Sequence, residues 1–171
     1  NLSGIAHYEV NLNGSGWLPT TAPPLISATG HHTLAYRAVD RAGNVSAEEI
    51  ITLNVDTTSP TTTHVFSGGL ASNGRYTSSV TITLVSTDIG AGHHQTLYRL
   101  DSDPDWRIYG DPFVVNTDGH HSLKYYATDR ANNTEATHII NFDLDLTAPA
   151  SAQPTIAGAA GANGWFFSPL T

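Results

Sequence analysis

Apolar and polar residues alternate with a period of two along much of the chain. The clearest run is VTITL at residues 80–84, in which three apolar residues alternate with two threonines. The same alternation returns as INFDL at residues 140–144. Successive side chains of a β-strand point to opposite faces, so this pattern predicts strands with one buried face. Turn-forming pairs such as Asn73-Gly74 separate the runs, and no ten-residue stretch has the apolar stripe of a helix. The sequence therefore predicts an antiparallel β-sandwich.

The chain repeats itself after 89 residues. Residues 30–60 align with residues 119–149, and 16 of these 31 positions are identical. A third copy starts near the C-terminus, where NGWF at residues 163–166 follows NGRY at residues 73–76 after 90 residues. Self-similarity at a fixed period indicates an array of similar structural units.

We therefore divide the chain into three parts. Residues 1–56 are expected to form a repeat that lacks its first strands, residues 61–145 a complete repeat, and residues 150–171 the opening strands of a third. The connecting residues 56–60 and 145–149 each begin with aspartate and end with proline. Because proline fixes its own φ and restricts the residue before it, we expect short, semi-rigid linkers.

One predicted strand face is identical in the two repeats, while every difference falls on the other face. Its members are the pairs Leu34/Leu123, Tyr36/Tyr125, Ala38/Ala127 and Asp40/Asp129. We expect this face to lie in the core. The paired histidines mark the start of each strand, with His32 and His121 turned toward the core edge.

A predicted hairpin turn follows each of these strands, DRAGN at residues 40–44 and DRANN at residues 129–133. In such a turn the aspartate accepts hydrogen bonds from backbone amides two or three residues further on, and Gly43 or Asn132 takes a positive φ. We expect Asn44 and Asn133, which end the two turns, to be structural residues.

The stretches GHHTLAYRAVDRAGNV at residues 30–45 and NGWF at residues 163–166 resemble the tandem immunoglobulin-like repeats of large bacterial surface and secreted proteins. The resemblance covers nearly the whole chain. It implies tandem immunoglobulin-like antiparallel β-sandwiches joined by short Pro-containing linkers. Repeats of this kind occur in adhesin stalks, as spacers of secreted carbohydrate-active enzymes and in surface layers. Tyr36 and Tyr125 are similar to the tyrosine corner of immunoglobulin-like domains, whose hydroxyl bonds to the backbone upstream.

Composition narrows the classes of function. The net charge is −8 and no cluster of lysine and arginine offsets it, so nucleic-acid binding is not expected. No apolar run reaches the length of a membrane span. Cysteine is absent, which excludes disulfides and thiolate metal sites. We expect an extracellular or cell-surface protein.

The linker aspartates are the candidate metal ligands. Asp56 and Asp145 each place one carboxylate at a predicted junction, and calcium prefers oxygen ligands of this kind. One carboxylate is too few, so Asp40, Asp88 or Asp129 has to join each of them in a calcium site. The alternative is that the linker aspartates only cap the last strand of their repeats. No other cofactor is expected.

We expect no enzyme activity. Neighbouring histidines on a strand point to opposite faces, and no histidine spacing suits a zinc site. The recurring positions supply neither the two facing carboxylates of a glycosidase nor a nucleophilic serine with its base.

The sequence favours a structural role as part of a stalk, filament or surface layer, with neighbouring repeats or copies of the chain arranged head to tail. Residues 150–171 are a spare copy of most of the segment that the first repeat is expected to lack. The chain is therefore interpreted either as a window on a longer array or as a subunit that donates these strands to the next subunit. The alternative function is a carbohydrate-binding or adhesive module, with Trp17, Trp106 and Trp165, together with Tyr126, as stacking platforms.

Overall fold

The period-two runs form strands in the computed structural model, which describes residues 3–151. VTITL lies in one strand and INFDL in another, and the described residues contain eleven strands and no helix. The strands are β1 (Ile5–Leu12), β2 (Leu18–Thr20), β3 (Gly30–Asp40), β4 (Glu49–Val55), β5 (Thr61–Ser67), β6 (Val80–Thr87), β7 (His93–Leu100), β8 (Arg107–Ile108), β9 (Phe113–Val115), β10 (Gly119–Asp129) and β11 (His138–Leu144). The expected third repeat lies almost wholly outside the described residues.

All strand pairs within the three sheets are antiparallel. We call β1–β4 the first unit and β5–β11 the second unit. The first unit is one four-stranded sheet in the order β2-β1-β3-β4. The second unit has a four-stranded sheet, β11-β10-β7-β8, and a three-stranded sheet, β5-β6-β9. Seven strands divided in this way form an immunoglobulin-like β-sandwich, so the predicted fold class is confirmed.

The core of the second unit lies between its two sheets. Val80 and Ile82 of β6 are fully buried, and they share one cluster with Leu123 and Tyr125 of β10. The threonines of VTITL point the other way, as the pleat of a strand requires. The prediction that the identical face of β10 lies in the core is therefore confirmed for this unit.

The first unit differs, because among the described residues its sheet has no second sheet facing it. Tyr36 is 41% exposed, whereas its counterpart Tyr125 is 1% exposed. Leu34 is only partly buried, whereas Leu123 is fully buried. The prediction of a buried face is thus wrong for Leu34 and Tyr36, since burial requires a facing layer and not only the apolar pattern.

The tyrosine-corner prediction is wrong about the partner of the hydroxyl. The Tyr125 hydroxyl lies 2.8 Å from Nδ1 of His64 on β5, in the facing sheet. Burial, with the nearby carboxylate of Glu135, raises the pKa of the Tyr125 phenol. The tyrosine therefore ties the two sheets together and does not fasten a corner within one sheet.

The two hairpin turns form as predicted, but the aspartate of each accepts the amide four residues further on, and Asp40 also accepts the one two residues on. Oδ1 of Asp40 accepts the amides of Ala42 and Asn44, both at 2.9 Å, and the Asn44 side-chain amide donates to Oδ2 at 3.0 Å. Gly43 has φ of 85° and Asn132 has φ of 69°, so both are left-handed. Asparagine tolerates this region better than most residues, which explains why it replaces glycine in the second turn.

His32 and His121 lie at the start of β3 and β10, with 8% and 5% of their surface exposed, as predicted. Nε2 of each lies close to the carbonyl four residues earlier, at 2.7 Å for His32 and 2.8 Å for His121. The other ring nitrogen meets different partners. Nδ1 of His32 lies 3.0 Å from the Asn13 amide nitrogen, whereas Nδ1 of His121 lies 2.9 Å from Oδ2 of Asp101.

Residues 3–151 contain no helix that is long and apolar enough to cross a membrane.

Candidate metal site at the junction of the units

Three chain segments that are distant in sequence end at the pole of the second unit that faces the first. Asp56 follows the last residue of β4, Asp88 follows the last residue of β6, and Asp129 ends β10. One carboxylate oxygen of each aspartate lies within 4.8 Å of the corresponding oxygens of the other two. The linker and both sheets of the second unit thus each supply one carboxylate to the same small volume.

The surrounding backbone holds the Asp56 carboxylate in place. Its Oδ2 accepts the Ala91 amide at 2.6 Å, and its Oδ1 accepts both the amide and the hydroxyl of Thr58, at 3.0 and 2.7 Å. The Ala91 amide, followed by the bonds from Thr58, lowers the pKa of Asp56. Hydrogen bonds to the charged form favour it, so Asp56 is an ionised carboxylate at neutral pH.

Asp129 is the most deeply buried of the three, with no exposed surface. The Asn133 amide donates to its Oδ1 at 2.8 Å, and the Asn133 side-chain amide donates to its Oδ2 at 2.7 Å. The same Asn133 side chain also donates to the backbone carbonyl of Asp56 at 3.2 Å. Asn133, predicted only as a turn residue, therefore also joins the turn to the linker.

Asp88 carries an oxygen that nothing in the protein satisfies. Its Oδ2 accepts the Gly92 amide at 2.9 Å, while its Oδ1 is buried and has no hydrogen-bond partner. A buried carboxylate oxygen without a partner is costly, and such an atom calls for a bound ligand or water as its partner.

The charge of the cluster is not balanced by basic side chains. Over residues 3–151, none of the ion pairs joins a lysine or arginine to Asp56, Asp88 or Asp129. Three carboxylates at this separation repel one another unless a proton or a cation lies between them. A cleft of about 460 Å³ beside Asp56 opens between the units, and Arg130 and His31 are among the residues that line it.

The linker packs tightly at this point. The Thr58 hydroxyl oxygen also lies 3.1 Å from the Ile89 carbonyl, next to Gly90. A Cβ atom on Gly90 would lie 2.5 Å from Oδ2 of Asp56, and Gly90 has φ of 139°. Both the space and the backbone conformation therefore require glycine, which fixes the loop after β6 against the linker.

The structure brings together part of the predicted ligand set. Asp56, Asp88 and Asp129 form the cluster, while Asp40 and Asp145 belong to no cluster of three ligands among the described residues. Hydrogen bonds, chiefly those from the side chain and the backbone amide of Asn44, lower the pKa of Asp40 to about 2. Asp145 is exposed, and its amide donates to the Tyr76 carbonyl at 2.9 Å.

Sequence reasoning missed Asp118, which anchors the second linker. Its carboxylate accepts the Leu146 amide and the Thr147 hydroxyl, and the bond from Thr147 is the main reason that its pKa is lowered. In the first linker, Thr29 accepts the Thr57 amide at the equivalent position. The signal was available in the repeat, because Thr29 and Asp118 are 89 residues apart.

The tryptophans do not form a flat exposed row. Trp17 is half-buried, and the Arg37 guanidinium carbon lies 3.9 Å from its ring centroid. Trp106 is also half-buried, with Arg99 at 4.9 Å over the ring and Tyr126 packed edge-on at 4.7 Å. An arginine thus covers one face of each of these two rings. Trp165 lies outside the described residues.

No protein-family model matches the chain, and no curated protein matches it. Among solved structures, the chain is similar to one described as "Structures of Clostridium thermocellum CbhA fibronectin(III)-like modules". That similarity has a TM-score of 0.40 at 15% sequence identity and covers 90% of this chain and 86% of that chain.

Proposed function

We propose that this chain is a segment of an extracellular array of tandem immunoglobulin-like units, of the bacterial surface-repeat type, and that calcium stiffens the junction between its units. The array acts as a stalk, filament or surface-layer spacer, and its partners are neighbouring units arranged head to tail. The observation that carries the proposal is the junctional cluster of Asp56, Asp88 and Asp129 with its unsatisfied buried oxygen.

The donor set fits calcium. Calcium takes six to eight oxygen ligands, drawn from carboxylates, carbonyls and water, and tolerates irregular geometry. Zinc sites in proteins are built mainly from histidine nitrogen and cysteine sulfur, and the cluster contains neither. Magnesium requires a near-ideal octahedron and keeps most of its water, so three carboxylates converging in a partly buried site suit it less well.

The position of the cluster supplies the mechanical role. Asp88 follows a strand of the three-stranded sheet, Asp129 ends a strand of the four-stranded sheet, and Asp56 belongs to the linker. A divalent cation held by all three would balance their charge and fasten the linker to both layers of the second unit. The first unit, which continues directly into Asp56, would then lose freedom to swing.

The test compares the chain with and without calcium, after treatment with a chelator. Calcium at a hundredfold excess over its dissociation constant should stabilise the second unit by about 2.7 kcal/mol, measured by thermal unfolding. Small-angle X-ray scattering should show a narrower distribution of maximum dimensions when calcium is present.

Asp88→Asn is the decisive variant, because it removes one ligand charge and keeps the size of the side chain. Asp145→Asn is the matched control, since it removes a linker aspartate outside the cluster. Calcium should stabilise the control as much as the parent and the Asp88→Asn chain much less. The proposal fails if calcium leaves the parent unchanged or stabilises Asp88→Asn equally, provided circular dichroism shows that the variant is folded.

A further inference from the structure

The outer face of the four-stranded sheet of the second unit carries two cations side by side. Lys124 on β10 and Arg99 on β7 lie directly opposite each other in the strand register. Lys124 points away from the core, because its neighbours Leu123 and Tyr125 are both buried in it. Like charges that face each other on paired strands repel, so this pair lowers stability unless an anion lies near it.

No carboxylate side chain of the protein balances these two charges. Neither Lys124 nor Arg99 takes part in an ion pair within residues 3–151. The chain has no aspartate or glutamate outside those residues. It carries 15 acidic side chains against 7 lysines and arginines, so the two cations do not lack a partner because acidic residues are scarce.

The Arg99 side chain is held in place but has no hydrogen-bond acceptor. Its guanidinium carbon lies 4.9 Å from the centroid of the Trp106 ring, and Tyr126 packs edge-on against the same ring. Its Nε is buried without a hydrogen-bond partner, which is costly for a charged group. Because contact with the ring restricts the guanidinium before any ligand arrives, an anion that binds it loses less side-chain entropy.

The first unit contains a similar arrangement together with its anion. Arg37 lies over the Trp17 ring, and its Nε donates to Oε2 of Glu9 at 2.7 Å. Glu9 pairs in register with Arg37 as Leu97 pairs with Tyr126, the counterpart of Arg37. The second unit therefore has a leucine where the first has the carboxylate. An arginine over a tryptophan is neutralised in one unit and left without an anion in the other.

We propose that this surface, made of Arg99, Lys124, Trp106 and Tyr126 and called the cationic face, binds acidic polysaccharides built from uronic acids. The sugar carboxylate accepts hydrogen bonds from the terminal nitrogens of Arg99 and from the Lys124 ammonium. The exposed parts of the two aromatic rings contact the apolar face of the sugar ring. A uronate brings both groups in one residue, whereas an acidic peptide brings the carboxylate without the flat apolar ring. This activity is additional to the array role and does not use the calcium site.

The test measures binding of trigalacturonate by isothermal titration calorimetry at low salt, where screening is weakest. The buffer contains a chelator, because carboxylates bind calcium and a shared ion would confuse the two sites. We expect Arg99→Gln and Lys124→Gln each to weaken binding by at least about tenfold, as the loss of a charge-assisted hydrogen bond requires. Arg37→Gln is the matched control and should bind like the parent, because Glu9 already occupies that arginine.

A second pair of variants leaves both cations in place. Leu97→Glu puts a carboxylate on the same face as Arg99 and diagonal to Lys124, within reach of both side chains. It should abolish trigalacturonate binding, whereas the neutral variant Leu97→Gln should keep it. In the parent, proton NMR should show that the ligand shifts the indole signal of Trp106 and leaves that of Trp17 unchanged.

Three results would overturn the proposal. The first is that the parent does not bind trigalacturonate. The second is an equal loss of affinity in Arg37→Gln and Arg99→Gln, which would mean that the cationic face is not the site. The third is equal binding of a neutral galactose trimer or of triglutamate, because the first would exclude recognition of the carboxylate and the second would make an acidic protein segment the partner. None of these results bears on calcium stabilisation of the junction, which is measured separately with Asp88→Asn.

Discussion

The contrast between the two buried histidines leads to a prediction about pH. His121 has the Thr117 carbonyl at Nε2 and the Asp101 carboxylate at Nδ1, so both ring nitrogens must donate for both bonds to form. His32 has Asn13 in place of the aspartate, and its neutral ring satisfies both contacts. Burial of His121 lowers its pKa, but the bond to Thr117 and the charges of Asp101 and Asp143 outweigh it, and the net pKa is raised.

The perturbation is Asp101→Asn, which gives the second unit the histidine environment of the first. Oδ1 of Asp101 accepts the Ser122 amide at 2.9 Å, and an asparagine oxygen can keep that bond. A hydrogen bond between charged groups contributes about 1.5–3 kcal/mol and a neutral one about 0.5–1.5 kcal/mol. The Asp101 side chain is 39% exposed, so screening limits the expected difference to about 1 kcal/mol.

The sign follows from the raised pKa. A histidine whose pKa is higher in the folded state stabilises the protein fully below its unfolded pKa, and this stabilisation is lost as the pH rises through the folded pKa. At about pH 5.5, below the usual histidine pKa of about 6.5, the parent should be more stable than Asp101→Asn by about 1 kcal/mol. Above the folded pKa, a neutral His121 has one ring proton, so in the parent it bonds to the Thr117 carbonyl or to the Asp101 carboxylate but not to both. In the variant, the lone pair of the neutral ring can accept from the new side-chain amide, so both contacts are satisfied. The order of stability should then reverse.

The assay is urea unfolding of the second unit at several pH values between about 5.5 and 8.5, a range that brackets the titration of histidine. NMR titration of the His121 ring should show a lower pKa in Asp101→Asn than in the parent. Parallel stability curves for the parent and Asp101→Asn across this range would refute the reasoning.

Two further predictions concern packing. Tyr125→Phe removes a buried hydroxyl that bonds across the sandwich, and it should lower the free energy of unfolding in urea by about 1–2 kcal/mol. Tyr36→Phe, at the exposed counterpart, should lower it by less than about 0.5 kcal/mol. Equal losses in the two variants would contradict the roles assigned to the two tyrosines. Gly90→Ala should lower the stability to thermal unfolding by about 1–3 kcal/mol more than Gly74→Ala does. Both positions have positive φ, whereas a new methyl meets the Asp56 carboxylate at Gly90 and meets no atom within 4 Å at Gly74. Similar losses of stability in the two alanine variants would show that the residues at the junction can move to accommodate the new methyl.

Features that depend on local pattern could be predicted from the sequence. The period-two alternation identified VTITL and INFDL as strands, because the pleat alternates side chains between two environments. The repeat contains two versions of one strand. The face that is identical in both versions identified the inward positions of β10, and the face that differs identified the outward ones. Turn chemistry at Asp40 and Asp129 was equally readable, since an aspartate that accepts nearby amides acts within a few residues.

The sequence also pointed to the linker aspartates as metal ligands, but it could not choose among their partners. Asp88 has no repeat counterpart in the chain to mark it, and it meets Asp56 and Asp129 only because three strand ends converge at one pole of the sandwich. Asp145, identical in pattern to Asp56, belongs to no such cluster among the described residues. A ligand set depends on distances between segments, which one-dimensional spacing does not encode.

The role of each copy of a repeated residue depends on the tertiary structure around it. Tyr36 and Tyr125 are identical in sequence context, yet one is exposed and the other is in the core, because a facing sheet covers only the second. Asn13 and Asp101 are 88 residues apart, so the offset of 89 never aligned them, and their shared contact with a buried histidine appeared only in three dimensions. Local pattern sets the direction of a side chain, while burial, charge and partners are set by the layers that pack against it.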